Sequence, residues 1–351
     1  MTIPSQDKTP PKAASFFSGI GGFDLGFEQA GFEVSFQCEI DNFCNEILEK
    51  HWPNVKRHKN IKDLDYATIP ISDVWLGGFP CQDVSLARMG PRAGLKGARS
   101  GLFHDFAGLL REGRPRVFVI ENVPGLLSSH KGRDFGTIIR TMADIGYSLG
   151  WRVLNSKNFG VPQSRSRVYI VGCYRDRRGP VEILFEPECS KGDAEKGKQD
   201  EKAAVSPFKE SLGNPVTGPI FQRIAYCLYA CSARHTGTDW SRTYVTYPDG
   251  RVRRLRPREC EGVQGFPAGW TRPVATVHTN EDPDDIDTLR YQALGNAVTP
   301  PVAKWLGQRI AQYIGIIESE EAEAAKSSRP AFRATEDAAI AACPLAAAPQ
   351  V

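Results

Sequence analysis

Cys81 stands in the run GGFPCQ, behind two glycines and Pro80. A thiol attacks as its thiolate, and an ordinary cysteine pKa of about 8.5 has to be brought down for that. The loop that follows, residues 82–101, carries Arg88, Arg92, Lys96 and Arg99 among four glycines, with no acid after Asp83. Exposure and nearby cations suit an activated sulfur, and such a basic flap could close over a phosphate backbone. A buried loop cysteine is the plainer alternative. Glu121 ends the apolar run RVFVIENV, where Asn122 and Pro124 stop the chain from continuing as a strand. A carboxyl in a pocket there can hold or donate a proton near neutrality; otherwise it caps a turn. Arg165 and Arg167, in FGVPQSRSRVYIVG, are two residues apart on an expected strand and so share a face. Paired guanidiniums suit a phosphate or a base carbonyl, unless the strand is a solvated edge.

A different chemistry is suggested by FFSGIGGFDLGF, residues 16–27. Glycines at a strand-to-helix turn let a ligand approach the backbone closely. A dinucleotide fingerprint would need a third glycine where Asp24 stands, so the turn fits a nucleoside without pyrophosphate, or simply a tight turn. Glu39, at the end of the next strand, could accept from ribose hydroxyls.

Those residues need a scaffold, and the hydrophobic pattern describes one. Strands are expected at 14–18, 34–38, in DVWLGG and RVFVIENV, and at 148–154 and 167–173. Helices are expected from Phe23 to Gly31, from an Asp41 N-cap through DNFCNEILEKHW, from Phe103 to Glu112, and after Gly132 to Ile145. Alternation of this kind gives a mostly parallel sheet covered on both faces. The pattern breaks near Asp176. Residues 186–202 are polar and mixed in charge, and 205–255 are rich in Gly, Pro, Thr and Arg, which reads as a small irregular lobe. Helical spacing returns in RPRECEGVQGF and over 300–317; the Ala- and Glu-rich end from Ser319, like MTIPSQDKTPPKAA at the start, reads as disordered.

Composition narrows the field. The chain has 351 residues with 41% hydrophobic content, enough for one large α/β domain and a smaller lobe. No run approaches the roughly 20 apolar residues of a membrane span, and no secretory core is present. The nine cysteines include no Cys-x-x-Cys pair, which argues for reduced thiols rather than disulfides or a metal site. Net charge is +3, but the last 34 residues set five Glu and Asp337 against Lys326, Arg329 and Arg333, leaving +6 on the rest. A mildly basic body is compatible with a polyanion partner without requiring one.

FSGIGG, GGFPCQ, ENVPGLL, QSRSR, RPRECEGVQGFP and ALGNAVTPP occur in the order and spacing of the DNA cytosine-5 methyltransferases, and residues 13–175 and 253–315 resemble that family. The resemblance implies an α/β fold: a Rossmann-like methyltransferase sheet dependent on S-adenosyl-L-methionine, with a small irregular target-recognition lobe. The implied organisation is a disordered start (1–12), a catalytic and cofactor-binding domain (13–175), the lobe (176–252), a return segment (253–318) and a disordered tail (319–351). Helix 300–317 would pack beside the N-terminal strand. Phe17, Gly19, Gly21 and Gly22 would line the cofactor site, with Glu39 on the ribose and Ile40 on the adenine. Asn60 stands where family members often carry Asp near the adenine amine; Pro80, Leu102 and Asn296 would complete the walls. Cys81, Glu121, Arg165 and Arg167 would be the catalytic set, acting on a cytosine flipped out of double-stranded DNA. Arg234, His235, Thr236, Arg242, Thr243 and Arg251 are candidates for reading the target sequence. The resemblance further implies a monomer in a bacterial or phage-infected cytoplasm, no membrane, and a role in modification beside a cognate restriction endonuclease. Relatives that act on tRNA carry a Cys-Phe-Thr triplet, absent from 226–250; a non-catalytic paralogue would have no reason to keep all four catalytic residues.

Overall fold

The structure, a computed structural model, describes residues 9–80, 101–186, 222–230, 243–274 and 283–327. Two compact units divide at Tyr313, and the sheet and its surroundings all lie in the first. Chain order begins β1 (Lys12–Phe16), α1 (Gly22–Glu28), β2 (Glu33–Cys38), α2 (Asn42–His51), β3 (Lys56–His58) and β4 (Val74–Gly77). It continues with α3 (Leu102–Gly113), β5 (Val117–Asn122), α4 (Arg133–Ile145), β6 (Tyr147–Asn155), β7 (Ser166–Tyr174) and α5 (Gly179–Leu184). A hairpin of β8 (Tyr244–Thr246) and β9 (Val252–Arg254) precedes α6 (Pro257–Gln264), α7 (Pro283–Asn296) and α8 (Pro300–Ser327).

Seven strands form one sheet in the order β3-β2-β1-β4-β5-β7-β6. The first five pair parallel, and β7 joins β5 antiparallel, with β6 antiparallel at the edge. Central strands must be apolar throughout because both faces are covered. β4 (VWLG) and β5 (VFVIEN) are buried at every position, which is why they read as continuous apolar runs. The edge strand β6 instead leaves Trp151 and Val153 partly exposed. Phe16 packs at 4.9 Å from Trp75 and 5.2 Å from Phe106, and α3 and α4 add Phe103, Leu110, Ile138 and Met142 to the same core.

Helix boundaries have local causes. Asp41 caps α2, its carboxylate accepting from Cys44 N at 2.9 Å. α4 runs between Gly132 and Gly146, both left-handed. α1 starts without a side-chain cap, directly after Gly21. Gly22 has to be glycine for packing: a Cβ there would sit 2.3 Å from the Val298 carbonyl oxygen, so the return segment rests on the first turn of α1.

Several expectations need correction. The helix expected to end at 317 runs to Ser327, so the segment from Ser319 begins as ordered helix rather than as a disordered tail; its Ala and Glu residues are good helix formers. α5 lies beyond the boundary expected at Asp176 yet belongs to the sheet domain: Arg152 Nη1 donates to Leu184 O at 2.8 Å, and Tyr313 Oη to Asp176 Oδ2 at 2.9 Å. β3, α7 and the β8–β9 hairpin were not foreseen; the strands are three residues each, too short for periodicity to show. Residues 1–8, 187–221 and the Ser328–Val351 end lie outside the described residues, and with them most of the expected disordered start, nearly all of the polar 186–202 segment and the rest of the expected disordered tail. No described helix is long and apolar enough to cross a membrane.

Beneath the glycine turn, Asp24 is 1% exposed. Its Oδ1 accepts from Ser15 Oγ at 2.8 Å and Gln37 Nε2 at 3.0 Å, joining α1 to β1 and β2, while Oδ2 has no partner. Burial pushes this carboxyl up to about 6, against the pull of those two donors. The folded state therefore binds the proton more tightly than the unfolded chain does. The stabilisation is complete below the unfolded value of 3.8 and is lost as pH rises through about 6. The gap corresponds to about 3 kcal/mol. In urea unfolding, the difference between the parent protein and Asp24→Asn should change by that order between pH 4 and pH 7; a difference independent of pH rejects the assignment.

Candidate active site

The strand order reverses direction between β1 and β4, the place where open α/β sheets bind ligands at their carboxyl edge. At the exit of β1 the chain turns through left-handed backbone at Phe17 (φ +57°), Gly19 (φ +57°) and Gly21 (φ +81°). For Phe17 that conformation costs about 1–2 kcal/mol. The turn is tied down from β2: Gly19 N donates to Glu39 Oε2 at 2.7 Å, Asp41 N to Glu39 Oε1 at 2.8 Å, and Ser18 N to Cys38 O at 3.1 Å. Burial raises the Glu39 carboxyl, and the two backbone N–H groups oppose it. Beside it Ile40 is 67% exposed, an apolar side chain with nothing covering it. Phe17 packs edge-on against Phe106, and half-buried Leu102 borders the same cluster. Asn296, at the end of α7, is exposed. Asn60 caps the 3₁₀ turn 61–63: its Oδ1 accepts from Lys62 N at 3.2 Å and its Nδ2 donates to Asp63 Oδ2 at 2.8 Å, so one lone pair of the carbonyl expected at an adenine is already used within its own turn.

The exits of β4 and β5 lie side by side. A Cβ on Gly78 would stand 3.9 Å from Glu121 Oε2. Asn122 Nδ2 donates to Phe79 O at 3.4 Å while its Oδ1 accepts from Val123 N at 2.8 Å, so this side chain pins the segment leading to Pro80 against the end of β5. Pro80 is half-buried and is the last residue described before Gly101; Cys81 and the cations Arg88, Arg92, Lys96 and Arg99 lie outside the described residues.

Glu121 is 8% exposed. The antiparallel register sets Asn122 opposite Val168, which brings Arg167 level with the strand's end. Arg167 Nε stands 3.0 Å from Glu121 Oε1, close enough for an ion pair but out of line for a hydrogen bond, and Oε1 has no hydrogen-bond partner. Desolvation raises the Glu121 carboxyl; the positive charges of Arg167 and Arg165 restrain the rise. A buried carboxyl with a free acceptor is equipped to bind a donor or to share a proton.

Arg165 takes a different place from the one its spacing suggests. It precedes β7, is 2% exposed, and points into the protein. Its Nη1 donates to Leu228 O at 3.0 Å and Gly295 O at 3.1 Å, and its Nη2 to Gly295 O at 3.1 Å and Ala297 O at 2.9 Å. A phosphate-facing role is excluded by that burial; the residue braces the pocket. Thr243, a candidate for target reading, is also inside, accepting from Tyr226 N at 2.9 Å. Arg251 pairs with Asp249 at 2.7 Å on the surface, and Arg234, His235, Thr236 and Arg242 lie outside the described residues. Sequence reasoning missed Gln163, which is fully buried, accepts from Leu228 N at 3.0 Å and donates to Gln264 Oε1 at 2.5 Å. It stands in the same motif as the arginines, but nothing local marks a buried amide.

The fold is that of the methyltransferases. It aligns with the crystal structures of the Dnmt2 methyltransferase of S. pombe (TM-score 0.61, 18% identity, 87% of this chain and 99% of that one) and of a putative DNA modification methyltransferase encoded in an E. coli prophage (TM-score 0.55, 18% identity, 87% and 99%). The chain belongs to the C-5 cytosine-specific DNA methylase family, whose profile matches residues 12–216 and 222–312. Among curated relatives it is 30% identical over 327 residues to the Type II methyltransferase M2.BsuMI of Bacillus subtilis (strain 168), covering 91% of this chain and 80% of that protein. It is 33% identical over 273 residues to M.NgoBI of Neisseria gonorrhoeae, covering 73% and 82%.

The two arginines should separate experimentally. Arg165→Lys leaves buried carbonyls unpaired and should lower unfolding stability by about 3–5 kcal/mol, as breaking a buried charge network does. Arg167→Met should lower it far less, since Arg167 is at the pocket rim. Equal losses in urea titrations reject the division of labour.

Proposed function

We propose that this DNA cytosine-5 methyltransferase binds S-adenosyl-L-methionine at the glycine turn and methylates a cytosine flipped out of double-stranded DNA, with Cys81 as nucleophile. The observation that carries the reading is the pinning of the Pro80 segment by Asn122 beside Glu121, whose Oε1 is buried and unbonded.

The residues fit the cofactor. A Cβ on Gly19 would meet nothing within 4 Å, so the turn leaves open space beside its backbone. Ile40 offers an uncovered apolar surface for an adenine, and Glu39, one residue before it, can still accept from ribose hydroxyls through its remaining lone pairs. Pro80, Leu102 and Asn296 would complete the walls, and Asn60 would contribute a weaker acceptor than a carboxylate. When bound, S-adenosylmethionine supplies an electrophilic methyl group.

Cytosine carbon-5 is a poor nucleophile, and addition of the Cys81 thiolate to carbon-6 makes it enamine-like. Glu121, whose affinity for a proton burial raises, contacts ring nitrogen N3 and the exocyclic amine and stabilises the charge that the addition places on the ring. Arg167 keeps Glu121 oriented and would hold the base carbonyl; Arg165 holds the pocket's rear wall. After methylation a base removes the carbon-5 proton, and the thiolate leaves. The Type II names of the relatives favour a modification role beside a restriction endonuclease, in a bacterial or phage setting.

Full-length protein mixed with S-adenosylmethionine and duplex DNA carrying 5-fluorocytosine at its target should form a denaturation-resistant adduct, because fluorine blocks the final elimination. Cys81→Ala should form none; an adduct of undiminished yield removes Cys81 from the mechanism. Glu121→Gln should lower turnover by at least 100-fold with cofactor affinity within about threefold, and near-normal turnover removes Glu121.

A further inference from the structure

The glycine turn is held from β2 by Glu39, but its middle peptide is held from the far end of the chain. Ile20 is fully buried, and its carbonyl accepts from the indole Nε1 of Trp270 at 2.9 Å, across 250 positions of sequence. The N–H of the same peptide, on Gly21, donates to Ser18 O at 3.0 Å. Both polar ends of the Ile20–Gly21 peptide are therefore engaged, and the indole supplies the only one from outside the turn.

Trp270 is itself immobilised. Its ring stacks on His51 with centroids 3.5 Å apart and planes 6° from parallel, and meets Trp52 edge-on at 5.7 Å. Trp52 in turn underlies the glycine turn, since a Cβ on Gly21 would lie 2.4 Å from its ring. His51 Nε2 donates to the Trp270 carbonyl at 3.1 Å; burial lowers the imidazole's pKa, and this bond opposes that shift. Lys50 Nζ donates to Gly269 O at 3.2 Å and Arg272 O at 3.0 Å. From the other side buried Glu261, on α6, accepts from Gly269 N at 2.5 Å and Thr271 N at 2.9 Å and is paired with Arg290 Nη2 at 3.1 Å. A fully satisfied buried carboxylate of this kind fixes the loop around Trp270 to a single arrangement.

We infer that Trp270 is a positioning residue of the cofactor turn, setting the Ile20–Gly21 peptide plane so that the backbone after Gly19 is preformed for the methyl donor. Without the indole N–H, the Ile20 carbonyl is a buried acceptor with no partner, and the turn relaxes to find one. A preformed site binds more tightly than one that must be ordered. The inference rests on the cofactor reading above.

The test uses the full chain and two variants: Trp270→Phe, and Trp270 replaced by β-(3-benzothienyl)alanine, which keeps the shape of indole and substitutes sulfur for the N–H. Calorimetric binding of S-adenosylmethionine and steady-state methylation of duplex DNA are measured for each. Both variants should weaken cofactor affinity and raise its KM about 5- to 10-fold, with kcat and the KM for DNA within about twofold and melting temperatures close to the parent's. Should Trp270→Phe fail to fold, the isosteric variant decides alone. Variants that bind cofactor as the parent does overturn the inference while leaving the cofactor reading intact. A loss confined to kcat or to melting temperature also overturns it. A parent protein that binds no S-adenosylmethionine overturns the cofactor reading, and the inference with it.

Discussion

A cation with no solvent around it is the constraint on which the candidate site depends. Arg165 cannot hydrate, so its guanidinium must be met by oxygens, and the protein supplies the carbonyls of Leu228, Gly295 and Ala297. Those come from two separate stretches of chain: the segment before the β8–β9 hairpin, and the end of α7 with the residue just past it. None of these carbonyls belongs to a β-ladder. Arg165 thus answers two needs at once, its own and that of helix-end oxygens at the last turn of α7. The pocket wall beside Glu121 is rigid because removing either side of this arrangement leaves the other unpaired and buried.

Electrostatics around Glu121 follow from the same layout. Burial alone would neutralise the carboxyl, and two guanidiniums would ionise it. Arg165 spends its two terminal nitrogens on carbonyls, leaves Nε without a partner, and acts on Glu121 through its charge; Arg167 is closer but not aligned for a hydrogen bond. The outcome is a carboxyl whose affinity for a proton is raised. Such a group can take a proton onto a substrate nitrogen or hand one over, where a tightly bridged Glu–Arg pair would stay ionised and inert.

Much of this was legible in the sequence, for identifiable reasons. β4 and β5 announce themselves because a strand buried on both faces must be apolar throughout, and the Asp41 cap and the glycine stops are local chemistry written in local residues. The family motifs singled out Glu121, Glu39 and Ile40, which stand at or just past the exits of β5 and β2, and Arg167, at the entry of β7. What the sequence could not supply was the direction of a side chain. Two arginines at strand spacing share a face only if both are on the strand, and β7 begins at Ser166, so Arg165 turns inward while Arg167 turns to Glu121. Asn60 carries the chemistry of an acceptor, but which acceptor bond it makes depends on the fold of its own turn. Long-range pairs such as Trp270 with Ile20, or Gln163 with Gln264, leave no trace in periodicity, since each residue reads singly as an ordinary core aromatic or an ordinary amide.

The distribution of those long-range pairs has a consequence for the architecture. The chain leaves the sheet after α5 and returns at α6, and the stretch between is the part with the weakest pattern. Every bond described here that locks the return segment to the sheet domain falls outside that excursion or at its borders: Gln163 and Arg165 on the near side, Gln264, Trp270, Gly295 and Ala297 on the far side. The excursion is bracketed by buried, geometrically specific contacts, and its described residues join them at Ala225 and Leu228, which bond to Pro162, Ser164, Gln163 and Arg165. Such a design lets the intervening residues be replaced or lengthened at small conformational cost, since loop closure grows only slowly with length. The carboxyl edge of the sheet, where Glu39, Asn122, Glu121 and Arg167 stand, would keep its geometry through such changes. The groups on that edge can then stay fixed while the excursion is free to differ.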